Sequence, residues 1–379
     1  MRIVLATPLY PPEIGGPATY TKELAARLAK AEQITVVALA DKAEVVEGVK
    51  LVLVAKSQGL LSRLAQFFFA LLREGSRAQL IYVQNAVAAG LPAALAGMLL
   101  KKPVVLKFVG DEAWERATQA GKTQKSLADF LAAPEGGLKT SILISIQRFV
   151  LNHVSAVVPP SQFLGDILTA YYGVPAEKVN VNYNAFEGVA AQAAVSRKPH
   201  QLLCVGRLVS WKRVDGAINA LKIVKNRYPD ATLAIAGSGP EEAKLKKLAA
   251  DSGLSDSVEF KGGLARDAVS ALEAQSGAII LNSTYEGLPH VALEAFAAQT
   301  PIIATDISGT REAVLDEKTG LLVPPVDDAT LAVAIERLFA EPELGVKLAA
   351  GGLEALNGKF SWEQHLQTLL AVFASLKDN

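Results

Sequence analysis

Two carboxylates eight residues apart, Glu286 and Glu294, stand on either side of Gly287-Leu288-Pro289 in NSTYEGLPHVALEAFAAQTPIIATDISG, residues 282–309. An apolar run ends at Leu281, a polar loop carries Glu286, and Pro289 sits where a first-turn proline belongs. Gly287 permits close backbone approach. The helix that follows offers unpaired N–H groups and the positive end of its dipole, a site suited to a diphosphate. Glu294, one to two turns into that helix, can accept hydrogen bonds from two adjacent ribose hydroxyls, while Glu286 in the loop can face a sugar. The plain alternative is two surface acids near a helix start, and it is the spacing around GLP that favours function.

A second segment, CVGRLVSWKRVDGAINAL at 204–221, ends a strand with Gly206-Arg207 and brings Lys212 five residues on. Arg207 can grip phosphate oxygens with its planar fork and Lys212 acts as a point charge. Together they could neutralise a leaving diphosphate. Lys212-Arg213 at a helix start opposes the dipole, which hints at a bound anion; solvated surface cations are the alternative. The turn AGSGP at 236–240 adds Gly237 and Gly239 as one wall of a nucleotide site, although a lone GxG is weak by itself. Gly15-Gly16 open the first helix, where backbone could approach a phosphate or a sugar. That loop lacks the GxGxxG spacing of a dinucleotide cofactor site.

These residues need elements to carry them. Short apolar runs alternate with helical patterns along the whole chain. Strands are expected at Arg2–Thr7, Ile34–Ala40, Leu80–Gln84, Val104–Val109, Ala156–Pro159 and Val179–Tyr183. After a small, polar stretch near 185–200, further strands are expected at Leu202, Thr232–Ala236, Ser257–Phe260, Ala278–Leu281 and Pro301–Ala304. Strand–helix alternation implies parallel sheets with right-handed crossovers, and ligands beyond the carboxyl ends of the strands. Residues 1–190 are expected to form an N-terminal domain, 191–200 a linker, and 201–360 a second domain. Residues 361–379 are expected to form a last helix.

The 379 residues are half apolar, ample for two cores, and 38 basic side chains balance 38 acidic ones, so no basic excess points to nucleic acid. Residues 1–190 hold 19 basic and 15 acidic side chains, residues 191–379 hold 19 and 23. That split is either ordinary variation or a basic, acceptor-facing half. Cys204 is the only cysteine, so no internal disulfide forms, in keeping with a reducing compartment. The N-terminal apolar run is too short for a signal peptide, and Ala86–Leu100 is too short for a membrane span. A cytoplasmic place is therefore expected, with a peripheral membrane contact left open. Four histidines, His153, His200, His290 and His365, form no metal-ligand pattern. His153 and His365 read as helix-surface residues.

Taken in order, these segments resemble glycosyltransferase family 4 of the GT-B superfamily. The resemblance lies in GGPATYTKELAARL, VPPSQF, GVPAEKVNVNYNAFE, GRLVSWK, AGSGPEEAKLKKLA, VEFKGGL, EGLPHVALEAFAAQTPIIATDISGTREAV and KTGLLVPPVD. It covers nearly the whole chain and is most specific in the C-terminal half. It implies a GT-B fold, in which two Rossmann-like, doubly wound α/β domains face each other across a cleft. It further implies a nucleotide-diphosphate-sugar donor held mainly by residues 201–360, an acceptor side formed by residues 1–190, a last helix in 361–379 that crosses back to the first domain, retention at the anomeric carbon, and no cofactor or essential metal. By position, Arg207 and Lys212 would bind the diphosphate, Glu294 the ribose, Glu286 with the Gly287-Leu288 backbone the sugar, and Gly16 would lie beside phosphate or acceptor.

Two places depart from the family pattern. A histidine frequent in the N-terminal half is absent, and Gly110-Asp111 stands there in KFVGDEAWERA; Asn184-Ala185 replaces Asn-Gly before the linker. Asp111 could contact a sugar hydroxyl or steady charge at the anomeric centre, or could simply cap the helix it precedes. The reaction expected is front-face transfer to a glycan or lipid-linked hydroxyl, since no carboxylate nucleophile stands out. Leu60–Leu72, LLSRLAQFFFALL with Arg63, Arg73 and Arg77, reads first as a core helix and alternatively as one lying on a membrane. An epimerase or isomerase on the same fold, and a non-catalytic nucleotide-sugar-binding protein, are the competing functions; a dehydrogenase lacks its fingerprint.

Overall fold

Apolar runs become strands because a parallel sheet covered on both faces buries every side chain of its inner strands. The computed structural model describes residues 1–13, 15–187 and 196–376. The chain divides into two compact units: Met1–Asn182 with Gln367–Asn379, and Tyr183–Leu366.

The first unit runs β1 (Arg2–Thr7), α1 (Gly16–Leu28), β2 (Gln33–Leu39), β3 (Val49–Val54), α2 (Leu60–Gly75), β4 (Leu80–Gln84), α3 (Gly90–Leu100), β5 (Val104–Lys107), α4 (Glu112–Gln119), α5 (Leu127–Ala132), α6 (Leu138–His153), β6 (Ala156–Val158) and α7 (Gln162–Tyr172). Its parallel sheet has the order β3-β2-β1-β4-β5-β6. Helices start on side-chain caps where the residue type allows: Asp111 accepts from Trp114 N, Ser126 from Asp129 N, and Ser161 of VPPSQF from Leu164 N.

The second unit runs β7 (Lys198–Val205), α8 (Val214–Val224), β8 (Thr232–Ala236), α9 (Glu242–Asp251), β9 (Val258–Gly262), α10 (Arg266–Gln275), β10 (Ser276–Leu281), α11 (His290–Ala297), β11 (Ile302–Thr305), α12 (Ser308–Arg311), β12 (Leu321–Val323), α13 (Asp328–Ala340), α14 (Pro342–Asn357) and the start of α15 (Trp362–Ser375). The sheet order is β12-β11-β10-β7-β8-β9, the same winding as the first sheet. Alternate residues of β7 serve opposite faces. Leu202 and Cys204 enter a core with α8 and α13, while Leu203 enters one with α11 and α14.

Several expectations change. The expected linker, 191–200, overlaps residues outside the described ones, and Lys198–His200 already belong to β7. Val179–Tyr183 is no strand: Val179 makes an isolated bridge to Val157, because β6 is too short to template more. The edge strands β3 and β12 had no expectation, one being half-exposed along its length and the other only three residues long. His365 is buried, its Nδ1 2.6 Å from the Tyr183 carbonyl oxygen, because it lies on the inner side of α15. The Leu60–Leu72 helix is half right as a core helix, since Phe67 and Leu71 are fully buried while Leu61 and Phe69 are exposed.

Candidate active site

In both sheets the chain reverses its direction of travel at one place, between β1 and β4 and between β7 and β10, and loops beyond such a switch point form the natural ligand site. In the second unit the loops that follow β7 and β10 are Gly206–Arg213 and Asn282–Pro289, the two segments with the most informative chemistry.

Three consecutive residues of the first loop bind the second. The Trp211 carbonyl oxygen accepts from Thr284 N at 2.8 Å, Lys212 Nζ donates to Glu286 Oε1 at 2.6 Å, and the Arg213 carbonyl oxygen accepts from Asn282 Nδ2 at 3.1 Å. The adjacent placement of β7 and β10 brings these loops together. Gly216 makes the approach possible, since a Cβ there would stand 2.2 Å from Asn282 Nδ2. Glu286 is buried and also accepts from Ser283 Oγ at 2.6 Å; Thr305 Oγ1 bonds the Ser283 carbonyl oxygen, which steadies the loop from β11. Gly309 supports the same loop, for a Cβ at that position would lie 1.9 Å from the Glu286 carbonyl oxygen.

Arg207 is exposed at the end of β7, its guanidinium 5.8 Å above the ring of buried Trp211. Gly237 and Gly239 follow β8. Gly237 has φ +151, and Cβ atoms at the two positions would stand 1.8 Å from the Gly206 carbonyl oxygen and 2.3 Å from that of Leu208. Their first service is thus to let the β8 turn lie against the Arg207 loop, which Leu208 N to the Ser238 carbonyl oxygen at 2.9 Å holds in place. Gly287, Leu288 and Pro289 are buried at the start of α11, and exposed His290 is its first residue.

Glu294 lies in the second turn of α11. Part of its surface is open, yet protein surrounds the carboxyl closely enough that burial raises its pKa, with Arg266 and Lys212 drawing it back down. Burial and the nearby Glu294 push buried Glu273 of α10 to about 9, while Arg266 opposes them. Glu273 Oε1 has no hydrogen-bond partner among the described residues. Sequence patterns held no sign of Glu273, because its facing depends on how α10 packs on α11. Ser283 could have been found, lying three residues before Glu286 in the same loop.

Two expectations are corrected here. The cations at the start of α8 are matched by carboxylates: Arg213 reaches Asp328 at 3.1 Å and Asp215 at 3.4 Å, and Lys212 reaches Glu286. They therefore imply no bound anion by themselves. Asp111 belongs to the first unit and is fully buried. It accepts from Trp114 N at 2.8 Å, from Gln147 Nε2 at 3.1 Å and from the Tyr172 hydroxyl, and burial raises its pKa. A carboxylate so engaged serves as a helix cap and strut, the second of the two readings its residue type allowed. Gly16 opens α1, and no atom of the described residues lies within 4 Å of the place where its Cβ would be. Among the described residues no group of three His, Cys, Asp or Glu side chains stands ready for a metal, and no helix is long and apolar enough to cross a membrane.

A doubly wound parallel sheet with charged loops gathered at its switch point defines an α/β protein of the Rossmann-like class. Residues 15–185 match the Glycosyl transferase 4-like domain and residues 189–354 match Glycosyl transferases group 1, so nearly the whole chain is accounted for and it belongs to glycosyltransferase family 4, with the GT-B fold. A glycogen synthase of Mycobacterium tuberculosis is 29% identical over 236 residues, 62% of this chain and 57% of that one. A GDP-mannose-dependent alpha-(1-6)-phosphatidylinositol monomannoside mannosyltransferase of the same organism is 33% identical over 196 residues, 48% of this chain and 51% of that one. The chain thus spans little more than half the length of these relatives. HepE of Anabaena in complex with UDP and glucose shares the fold, with TM-score 0.78 and 19% identity, covering 99% of this chain and 100% of that one.

Proposed function

We propose that the protein is a retaining glycosyltransferase that moves a sugar from a nucleoside-diphosphate donor to a hydroxyl of a glycan, free or lipid-linked, in cell-envelope polysaccharide assembly. The observation that carries this reading is the joining of Trp211-Lys212-Arg213 to Thr284, Glu286 and Asn282 at the switch point of the second sheet. It fixes a cation, a buried carboxylate and a helix start in one place. The relatives' descriptions, which include a GDP-mannose-dependent enzyme and a UDP complex, support the donor class.

On this reading Arg207, Lys212 and the start of α11 take the diphosphate, Glu294 takes the ribose, and Glu286 with Gly287 and Leu288 takes the sugar. Gly237 and Gly239 wall the nucleotide through the loop they support, and Gly16 lies beside phosphate or acceptor. The bond between the anomeric carbon and the diphosphate oxygen breaks as negative charge grows on that oxygen. Arg207, Lys212 and the helix start meet that charge without reorganising, which takes the place of a metal. The acceptor oxygen bonds the anomeric carbon on the face the diphosphate leaves, and its proton passes to the departing diphosphate oxygen. A cytoplasmic site of action accords with the free, buried thiol of Cys204.

The test is thermal-shift binding against a panel of nucleoside diphosphates and their sugars, for wild type and Glu294→Ala. Bound ligand raises stability with the logarithm of its excess over Kd. Selective stabilisation by one nucleotide, weakened in the variant, supports the reading and names the base. A folded sample that no nucleotide stabilises overturns it.

A further inference from the structure

The first unit carries an apolar and basic surface that the donor chemistry does not use. Helix α1 joins β1 to β2, travelling one way across the sheet, whereas α2, α3 and the segment ending in α6 join β3 to β4, β4 to β5 and β5 to β6, travelling the other way. Right-handed crossovers therefore place α2, α3 and α6 together on the face opposite α1. In this layer α3 packs between the other two.

The outer side of that layer is apolar in regular stripes. On α2, Leu61, Ala65, Phe69 and Arg73 are all exposed at successive four-residue steps, with Leu61 at 83% and Phe69 at 64%. On α3 the exposed residues are Leu95, Met98 and Leu99; on α6 they include Leu138 and Ile142. A groove of about 410 Å³ runs between α3 and α6, lined by Leu91, Leu138, Ile142, Ile146 and Phe149. A surface of this kind marks a contact site.

Charge identifies the occupant. The three helices contain a single acid, Glu74, which is buried and paired with Lys50 and Arg73. Exposed Arg73, Arg77, Lys101 and Lys139 lie on these helices or directly at their ends. A second copy docked through the same face about a two-fold axis would set these cations against themselves, with no exposed acid of the three helices to answer them. Nucleic acid would meet the cations but gain nothing from exposed leucine, methionine and phenylalanine. An anionic lipid surface satisfies both, headgroups meeting the cations and acyl chains receiving the apolar stripes.

We infer that the outer face of α2, α3 and α6 seats the protein on an anionic bilayer. The inference deepens the proposed function and rests on it, in that such seating brings the enzyme to the lipid-linked form of its acceptor.

Co-sedimentation of the full chain with vesicles tests it, using phosphatidylcholine alone and phosphatidylcholine mixed with phosphatidylglycerol. Binding is expected to the mixed vesicles and to fall with added salt. The triple change Leu61→Ser, Phe69→Ser and Leu99→Ser, all on exposed positions, should abolish it. Each of Arg77→Gln, Lys101→Gln and Lys139→Gln should weaken it roughly five-fold. Wild-type protein left in the supernatant, or binding untouched by both sets of changes, overturns the inference. So does a concentration-dependent dimer in sedimentation equilibrium that the apolar triple dissolves, which would assign the face to a second copy. The nucleotide thermal shift, measured in the same variants, separates the two readings: retained while vesicle binding fails, it removes only this inference; lost while vesicle binding holds, it removes the donor reading.

Discussion

Lys212 Nζ and Glu286 Oε1 are 2.6 Å apart, an ion pair that closes the loop after β7 onto the loop after β10. The carboxylate is buried and takes a second hydrogen bond from Ser283. In the proposed reaction the cation is thereby stationed at the strand ends before the diphosphate arrives, and it need not be gathered from solvent when charge develops.

Lys212→Met should accordingly lower the transfer rate by about 10²–10³, the loss typical of one preorganised donor. It should also lower stability by roughly 1–3 kcal/mol, because Glu286 keeps its buried charge without its cation. Lys212→Met with Glu286→Gln should recover much of the melting temperature and none of the rate. Calorimetry and initial rates on the three proteins decide this; a single variant with wild-type turnover would remove Lys212 from the mechanism.

The Glu273–Glu294 pair makes stability depend on pH. Glu273 is raised from 4.5 to about 9, so across that window the folded chain holds a proton that the unfolded chain has released. The folded state binds more protons, and stability must fall as pH rises. Glu273→Gln removes the titration: its melting temperature should match wild type near the acid end of the window and exceed it near the alkaline end. Each kcal/mol recovered corresponds to about 2–4 °C for a unit of this size. Parallel melting curves for the two proteins across the window would count against the coupling.

Two glycines should respond in opposite ways. Gly309→Ala drives a methyl to within 1.9 Å of the Glu286 carbonyl oxygen, so the acidic loop must shift. A loss of about 1–3 kcal/mol and a raised KM for the sugar nucleotide should follow. Gly16→Ala meets no atom of the described residues within 4 Å and should melt like wild type. If ligand does pass close to that backbone, turnover falls with no change in stability, which kinetics and melting read separately.

Asp111→Ala should behave as the loss of a strut. The cap on Trp114 N goes, and Gln147 and the Tyr172 hydroxyl lose a buried acceptor, at a combined cost of roughly 2–4 kcal/mol. The nucleotide thermal shift should persist, since Arg207, Lys212 and Glu294, to which the nucleotide is assigned, belong to the other unit. A variant that melts normally but loses turnover by about 10² or more would restore a role in the chemistry.

The amino-acid sequence alone determined the parallel α/β class of both units and the identity of the residues in the two charged loops. Buried parallel strands must be apolar runs, and glycine and proline mark the turns where strand passes to helix, so both features are local and legible. Arg207, Lys212, Glu286 and Glu294 could be singled out because each lies a fixed step from such a turn. Only the tertiary structure decided which of them meet. Lys212 finds Glu286 because β7 and β10 are neighbours, an adjacency set by strand order and invisible in local spacing. The same holds for Glu273 beside Glu294, for buried His365, and for Asp111, whose residue type suits a cap and a catalyst equally. Residue type and spacing report how one element divides itself between core and solvent; electrostatic partnership depends on the elements packed against it.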